Sequence, residues 1–333
     1  MMPLLEIKNL KIEFGRGLDA LRAVDGVSLT LEAGETLCVV GESGSGKTVT
    51  ALSIARLVPS PPARYAGGEI LLQGRDVLKM SAAELRGIRG GVVSYVFQEP
   101  GASLNPVFRV GHQIKESLQL HRPDAATDAE VIHLLKLVGI PAPEMRIKNY
   151  PHEMSGGMQQ RIMIAMALAS QPRLLVADEP TTALDVTIQA EIIDLLRGLK
   201  QRLGMAIVLI THNLGIVADL ADRVAVMYAG QIVETAPARA LLKQPLHPYT
   251  QALMLSVPGL GARSKRLPAI PGSVPQLGAF PSGCRFHPRC GRVRPDCSLE
   301  VPDLLEVEPG RWVRCPYWGY EPRISGSESE VPA

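Results

Sequence analysis

Residues 36–48 read TLCVVGESGSGKT, a short apolar run that ends in a glycine-rich segment. This order predicts a strand over Thr36–Val40, then a tight turn, then a helix over Lys47–Leu57. The turn fits the pattern G-x-x-x-x-G-K-[ST], in which backbone N–H groups wrap phosphate oxygens, a lysine reaches the β and γ oxygens and a hydroxyl holds Mg²⁺. The predicted phosphate-binding loop (P-loop) consists of Gly41, Glu42, Ser43, Gly44, Ser45, Gly46, Lys47 and Thr48.

The remaining apolar runs favour an α/β fold around this loop. They alternate with helical patterns such as Ile188–Arg202, as the strands of a buried parallel sheet do. The runs are Val92–Phe97, Leu174–Ala177, Ala206–Ile210 and Val224–Met227.

A helical subdomain is predicted at about residues 104–168. No strand-like run occurs there, whereas Val110–Leu120, Asp128–Val138 and Gly156–Ala169 have helical spacing. After Met254 the composition shifts to Pro, Gly and Cys. We therefore expect a nucleotide-binding core over residues 1–250, a small Cys-rich C-terminal region over 245–325 and a flexible tail over 326–333.

Composition limits the partners that this chain can bind directly. The sequence has 35 basic and 33 acidic residues, and they are interspersed, so we expect no nucleic-acid partner. The longest apolar runs fall short of the ~20 residues that span a bilayer. The N-terminal segment MMPLLEIKNLKIEF lacks the features of a signal peptide. We therefore expect the N-terminus to lie in the cytoplasm and the chain to attach to the membrane through partner proteins.

Two carboxylates follow the apolar run Leu174–Ala177. Asp178 and Glu179 match a Walker B arrangement, which would place Asp178 beside the P-loop to support Mg²⁺ and Glu179 near the attacking water. By itself, an acidic pair at a strand end is as often the start of a solvated loop. Together with the P-loop, this pair favours hydrolysis of a bound nucleotide over binding alone.

A second phosphate-facing segment is predicted at a helix start. Ser155 is a natural N-cap, and Gly156 and Gly157 would let a phosphate approach the positive end of the helix. Taken alone, this segment is more typical of a flexible cap.

The motifs resemble the ATP-binding cassette (ABC) family when they are taken in chain order. They are the P-loop, SGGMQQ at 155–160, VADEP at 176–180, ALD at 183–185 and TH at 211–212. The resemblance implies an ATPase in which two cassettes close head to tail around two ATP molecules. Ser155, Gly156 and Gly157 would then face the nucleotide of the second subunit.

The same resemblance assigns further roles, residue by residue. It implies that Gln98 contacts Mg²⁺ or the lytic water, that His212 is the switch histidine and that Asp185 communicates between the two sites. Phe14 is the nearest upstream aromatic residue for stacking on adenine. The alternative for Phe14 is a core position, and for Gln98 and His212 it is ordinary surface hydrogen bonding.

More particular stretches resemble the ATPases of oligopeptide and dipeptide importers, a group that also supplies nickel importers. They are FQEPGASLNP at 97–106, EPTTALDVTIQ at 179–189 and LHPYTQAL at 246–253. The resemblance implies a second, homologous ATPase subunit, two transmembrane permeases and an extracytoplasmic binding protein, with this chain at the cytoplasmic face of the membrane. Nickel import is one alternative. A cassette that acts on nucleic acid or ribosomes is another, but the sequence shows no basic patch.

Four cysteines cluster as Cys284-x5-Cys290-x6-Cys297-x17-Cys315. In a cytoplasmic protein such a cluster is more often a metal site than a set of disulfides, and this spacing leaves both zinc and iron–sulfur open. Resemblance to the peptide-importer ATPases implies a [4Fe-4S] cluster. The alternatives are free structural thiols and a redox or metal sensor. Cys38, on the predicted strand before the P-loop, is predicted to be a core residue.

Overall fold

Strand β3 (Thr36–Val40), the apolar run before the P-loop, lies inside an eight-stranded sheet. We describe this sheet from a computed structural model that covers residues 2–15, 17, 20–182, 184–256 and 270–319. The other strands of the sheet are β6 (Val93–Val96), β7 (Leu174–Asp178), β8 (Ala206–Thr211), β9 (Arg223–Tyr228), β10 (Gln231–Pro237), β11 (Leu305–Glu308) and β12 (Arg311–Val313). Their order is β11-β12-β10-β9-β3-β8-β7-β6.

The central strands of this sheet are parallel. β3 pairs with β8 and β9, and β7 pairs with β6 and β8. Every residue of β3, β7 and β8 is buried, which explains their nearly continuous apolar sequences. Because parallel strands end at the same edge, the residues that follow β3, β7 and β8 are brought together there.

A second, antiparallel sheet covers one face of the first. It contains β1 (Leu5–Phe14), β2 (Leu21–Leu31), β4 (Ala63–Leu72) and β5 (Arg75–Asp76) in the order β2-β1-β4-β5. Leu37 and Val39 of β3 join the apolar cluster between the two sheets, whereas Cys38 and Val40 face the cluster on the opposite side. This alternation follows from the two-residue period of a strand.

The helices lie around these sheets. They are α1 (Lys47–Ser53), α2 (Ala82–Ile88), α3 (Pro100–Ser103), α4 (Val110–His121), α5 (Asp128–Leu137), α6 (Pro143–Arg146), α7 (Gly156–Leu168), α8 (Val186–Leu203), α9 (Leu214–Leu220), α10 (Ala238–Lys243) and α11 (Pro248–Leu255). Short 3₁₀ turns occupy Val77–Lys79, Pro123–Ala125, Pro151–Glu153, His287–Arg289 and Pro295–Ser298. None of the helices in the described ranges is long and apolar enough to cross a membrane.

The predicted helices between residues 104 and 168 are present as α4, α5 and α7, and the prediction for α1 was too long. Helix α1 ends at Ser53 rather than Leu57. Arg56 has a φ of 53°, a left-handed conformation that cannot continue the helix.

The C-terminal region contributes more to the core than its composition predicts. The hairpin of β11 and β12 extends the main sheet, with Glu234 of β10 paired to Val313. Phe286 is buried against Tyr228 and Tyr249. The sequence analysis predicts neither strand, because they have only four and three residues, too few for a reliable periodic pattern. The predicted tail at 326–333 lies outside the described residues.

Candidate functional site

The P-loop adopts a backbone path that requires glycine at particular positions. Gly41 has a φ of 155°, and a Cβ atom there would lie 2.1 Å from the carbonyl oxygen of Met227. Gly46 has a φ of 99°, and a Cβ atom there would lie 2.9 Å from the carbonyl oxygen of Ala23. The glycines therefore let the loop turn sharply between β3 and α1 while it packs against neighbouring backbone.

Lys47 points into this loop. Its Nζ donates hydrogen bonds to the carbonyl oxygens of Gly41 at 2.8 Å and Glu42 at 2.9 Å. Burial lowers the pKa of Lys47, and the nearby carboxylates of Glu179 and Asp178 oppose this shift. The loop thus holds a cation beside its own backbone, where the pattern predicts phosphate oxygens.

Asp178 ends β7 beside Thr48. Burial raises the pKa of Asp178, and a hydrogen bond with the Thr48 side chain opposes the shift. Its Oδ1 atom is buried and has no hydrogen-bond partner among the described residues. An unsatisfied carboxylate oxygen beside a threonine hydroxyl is a donor set that suits Mg²⁺.

Three side chains converge on one oxygen of Glu179. Oε2 accepts hydrogen bonds from Thr182 Oγ1 at 2.9 Å and Gln98 Nε2 at 3.3 Å, and His212 Nδ1 lies 3.2 Å away. The Glu179 backbone has a φ of 47° and donates its N–H to Ile210 of β8. The structure therefore brings the sequence-predicted Gln98, Glu179 and His212 together, and it adds Thr182.

The Ser155–Gly157 segment begins α7, as predicted. Ser155 Oγ accepts the backbone N–H of Met158 at 3.4 Å. Packing also favours glycine at position 157, because a Cβ atom there would lie 2.8 Å from the Ile188 side chain. No hydrogen bond between described residues joins this segment to the P-loop of the same chain.

In the structure, Asp185 caps a helix and Phe14 packs against the apolar core. Asp185 caps α8, where its Oδ1 accepts the backbone N–H of Ile188 at 3.0 Å. Phe14 ends β1, is half-buried and packs against the apolar cluster between the sheets. Its contact with adenine stays a prediction.

The four clustered cysteines line one cavity of about 700 Å³ together with His247 and other residues. All four are free thiols, and burial raises the pKa of Cys315 to about 11. The Cys290 and Cys297 sulfurs each accept a backbone N–H of their own turn at 3.4 Å.

The predicted [4Fe-4S] cluster, or a zinc site, at this cavity stays a prediction. Within the described ranges, no group of three or more His, Cys, Asp or Glu side chains is arranged to hold a metal ion. The fifth cysteine, Cys38, is fully buried in the core, as predicted, and burial raises its pKa.

Comparisons with known proteins identify the family of this chain. Residues 24–182 match the family described as ABC transporter, and residues 233–297 match the C-terminal region of oligopeptide/dipeptide transporters. The chain is 49% identical over 315 residues to the probable peptide ABC transporter ATP-binding protein y4tR of Sinorhizobium fredii, covering 94% of each chain. It is 48% identical to the oligopeptide transport ATP-binding protein AppD of Bacillus subtilis, covering 95% of this chain and 97% of the relative.

A solved structure is similar in fold. The dimeric post-hydrolysis state of the ATP-binding cassette MJ0796, bound to ADP and Pi, aligns with a TM-score of 0.62 and 26% identity. The alignment covers 71% of this chain and 99% of that one.

Proposed function

Since the chain belongs to the ABC transporter family of ATP-binding proteins, we propose that it drives the import of dipeptides or oligopeptides by hydrolysing ATP. The observation that carries the ATPase step is the convergence of Gln98, Thr182 and His212 on Glu179. The match of residues 233–297 to the oligopeptide/dipeptide transporters supports the peptide cargo.

The P-loop residues bind and orient the nucleotide. Backbone N–H groups between Gly41 and Thr48 surround the phosphates, and Lys47 contributes a positive charge at the β and γ oxygens. Mg²⁺ would be held by Thr48, Asp178 and Gln98, and when bound it neutralises charge on the phosphate oxygens. The unsatisfied Oδ1 of Asp178 supports this assignment.

Glu179 orients the attacking water or takes a proton from it. Its Oε2 atom is occupied by Gln98, Thr182 and His212, whereas no hydrogen bond in the described part of the chain occupies Oε1. Oε1 is therefore available to the water. His212 fixes the carboxylate and adds a polar group near the developing phosphate charge.

A second ATPase subunit completes the site. Ser155 and Gly156 are exposed at the start of α7, and their hydrogen bonds stay within that helix. We propose that this segment serves the nucleotide of a homologous partner, with Asp185 communicating between the two sites. Phe14 would stack on the adenine of this chain's own nucleotide.

The transported cargo crosses the membrane through partners. We propose two transmembrane permeases and an extracytoplasmic binding protein, with this chain docked at the cytoplasmic face. The relatives from Sinorhizobium fredii and Bacillus subtilis are described as ATP-binding proteins of peptide transport, which supports this assembly.

Reconstitution tests this proposal. The chain is co-expressed with a homologous ATPase, two permeases and a binding protein of a peptide importer from the same organism, and the complex is placed in proteoliposomes. We expect ATP hydrolysis to rise when the binding protein carries a dipeptide or a hexapeptide. Stimulation by Ni²⁺ alone would replace peptide with nickel as the cargo, and hydrolysis without any permease requirement would contradict transport.

We further propose that the cysteine-lined cavity is where a [4Fe-4S] cluster would bind. Four thiols in one cavity support this, although the sulfurs of Cys290 and Cys297 would have to leave their backbone contacts. Iron and acid-labile sulfide, measured on the anaerobically purified chain, test the proposal. Zinc in place of iron would identify a zinc site, and the absence of both metals would leave structural thiols.

A further inference from the structure

The C-terminal region reaches the P-loop at Glu42. The backbone N–H, the backbone carbonyl and the side-chain carboxylate of Glu42 each bind a different residue. Its backbone N–H donates to Tyr249 Oη at 2.9 Å, its carbonyl oxygen accepts from Lys47 Nζ, and its carboxylate pairs with Arg289. Tyr249 and Arg289 lie more than two hundred positions later in the chain. Residues far from the motif therefore determine where the P-loop sits.

The pairing of Arg289 with Glu42 is bidentate. Nη1 donates to Oε2 at 2.8 Å and Nη2 donates to Oε1 at 2.9 Å. The Arg289 side chain is 6% exposed, and its Nε donates to the Pro271 carbonyl oxygen at 2.8 Å. A partly buried two-point ion pair with a fixed guanidinium plane is directional and stronger than an exposed one.

Aromatic residues hold this arrangement in place. Tyr249 is fully buried, and its ring centroid lies 4.6 Å from that of Tyr228 and 5.3 Å from that of Phe286. Tyr228 Oη lies 3.3 Å from Arg289 Nη1. Glu42 is thus contacted by a packed unit rather than by mobile surface side chains.

The charge of Glu42 matters because the P-loop binds a polyanion. A carboxylate left without its partner in this loop would repel the phosphates of ATP, and the repulsion is stronger in a partly buried position than in water. Arg289 both neutralises this carboxylate and fixes its position.

We propose that Arg289 is a positioning residue of the nucleotide site, which neutralises Glu42 so that the P-loop binds MgATP tightly. The inference deepens the proposed function and rests on its nucleotide site. Arg289 belongs to the turn His287–Arg289 between two of the cavity cysteines. The N–H of His287 donates to the Cys284 carbonyl oxygen at 3.0 Å, and the N–H of Cys290 donates to that of His287 at 3.2 Å. Arg289 therefore connects the segment between Cys284 and Cys290 directly to the P-loop.

Another interpretation is that Arg289 only tethers the C-terminal region to the core. The two interpretations differ in what a second substitution does. If the unpaired charge of Glu42 is the problem, removing that charge restores binding in an Arg289 variant. If the tether is the problem, removing it at either end causes the same loss, and the double variant stays weak.

The test is the MgATP affinity of the full chain, measured by displacement of a fluorescent ATP analogue for the wild type, R289M, E42Q and R289M/E42Q. We expect R289M to raise the Kd about tenfold. We expect R289M/E42Q to bind at least about fivefold more tightly than R289M. The control is R314M, because Arg314 anchors the same region through the carbonyl oxygens of Ile232 and Pro302 and does not contact the P-loop. Its Kd should stay within about twofold of wild type.

An unchanged Kd in R289M, or a double variant as weak as R289M, would overturn the inference. R289K keeps the positive charge but loses the two-point pairing with Glu42. It replaces R289M in the affinity measurement if R289M does not fold. A Kd for R289K within about threefold of wild type supports the inference, because the charge on Glu42 is still neutralised, and a Kd raised about tenfold despite the retained charge overturns it. Failure of the wild type to bind MgATP would instead remove the proposed function, so the two failures are distinguishable.

Discussion

The carboxyl edge of the parallel sheet and the cysteine-lined cavity both gather residues from distant sequence positions, but only the first brings them into contact. At the sheet edge, Gln98, Thr182 and His212 all reach one oxygen of Glu179. Around the cavity, the four cysteines face one space without forming a group that could hold a metal ion.

The difference follows from the backbone that carries each set. Strands β7 and β8 are in fixed register, with Asp178 opposite Ile210, so Glu179 and His212 leave neighbouring strands at nearly the same level. The cysteines sit on short turns, and the sulfurs of Cys290 and Cys297 are held by local backbone N–H groups. A regular sheet assembles a site before any ligand binds, whereas turns leave their side chains to local contacts.

The largest effect should come from E179Q. This variant tests whether the residues at the carboxyl edge of the parallel sheet carry out ATP hydrolysis. The amide keeps the shape of the side chain but cannot take a proton from water. We expect steady-state ATP hydrolysis to fall at least about 100-fold while ATP binding is retained. Phosphate release and ATP affinity, measured on the reconstituted complex, check this.

The matched control for E179Q is E144Q. Glu144 is an exposed residue of α6 that pairs with Lys136 and has no hydrogen bond to Gln98, Glu179 or His212 among the described residues. Its variant should hydrolyse ATP at the wild-type rate. Undiminished hydrolysis in E179Q would show that Glu179 does not activate the attacking water. The sheet edge would then no longer differ from the cysteine-lined cavity in having a demonstrated function.

A smaller effect is expected from H212A. His212 contacts the Glu179 carboxylate from outside the strand and is 60% exposed, so its removal loosens the carboxylate without removing it. We expect kcat to fall about 10- to 100-fold with little change in ATP affinity. H133A, at an exposed position of α5, is the control and should leave kcat unchanged. Equal rates for the two variants would contradict the role of His212.

T182V tests Thr182, which no sequence motif predicts as part of the site. Its hydroxyl donates to Glu179 Oε2 at 2.9 Å, so the valine variant leaves the carboxylate less well fixed. We expect kcat to fall about three- to tenfold, which corresponds to the net contribution of one ordinary hydrogen bond, because Gln98 and His212 still hold the carboxylate. T182S keeps the hydroxyl and should recover most of the rate. A T182S variant as slow as T182V would show that the methyl group, rather than the hydrogen bond, is what matters.

Sequence patterns could predict those parts of the site that have a fixed spacing. The P-loop is continuous, and Glu179 and His212 each follow an apolar run, so the edge of the sheet was predictable from strand order. Thr182 was not recognised because a threonine in a turn has no signature of its own. Its role depends on the left-handed φ of Glu179, which turns the chain back toward the carboxylate.

The pairing of Arg289 with Glu42 could not be predicted from the sequence either. One partner lies in the P-loop and the other in a region that appeared too poor in apolar residues to pack. Only tertiary contacts of Phe286 and Tyr249 bring the two together. A single sequence contains no periodic signal for a contact of this kind.

The smallest effect on ATP hydrolysis should come from replacing the four cavity cysteines with serine. No cysteine of this set is hydrogen-bonded to Gln98, Glu179 or His212 in the described ranges, so we expect kcat to stay within about threefold of wild type. The C-terminal region is small, and loss of packing or of a ligand there should lower Tm by about 2–4 °C per kcal/mol of lost stability.

Calorimetry and peptide-stimulated hydrolysis of the reconstituted complex measure the two quantities side by side. C38S provides the control, because it buries one hydroxyl in the core and lowers Tm without touching the cavity. A loss of kcat beyond tenfold at an unchanged Tm would mean that the cysteines take part in the ATPase cycle. The cavity would then be a second functional centre, and the contrast between an assembled sheet edge and a structural cysteine region would no longer hold.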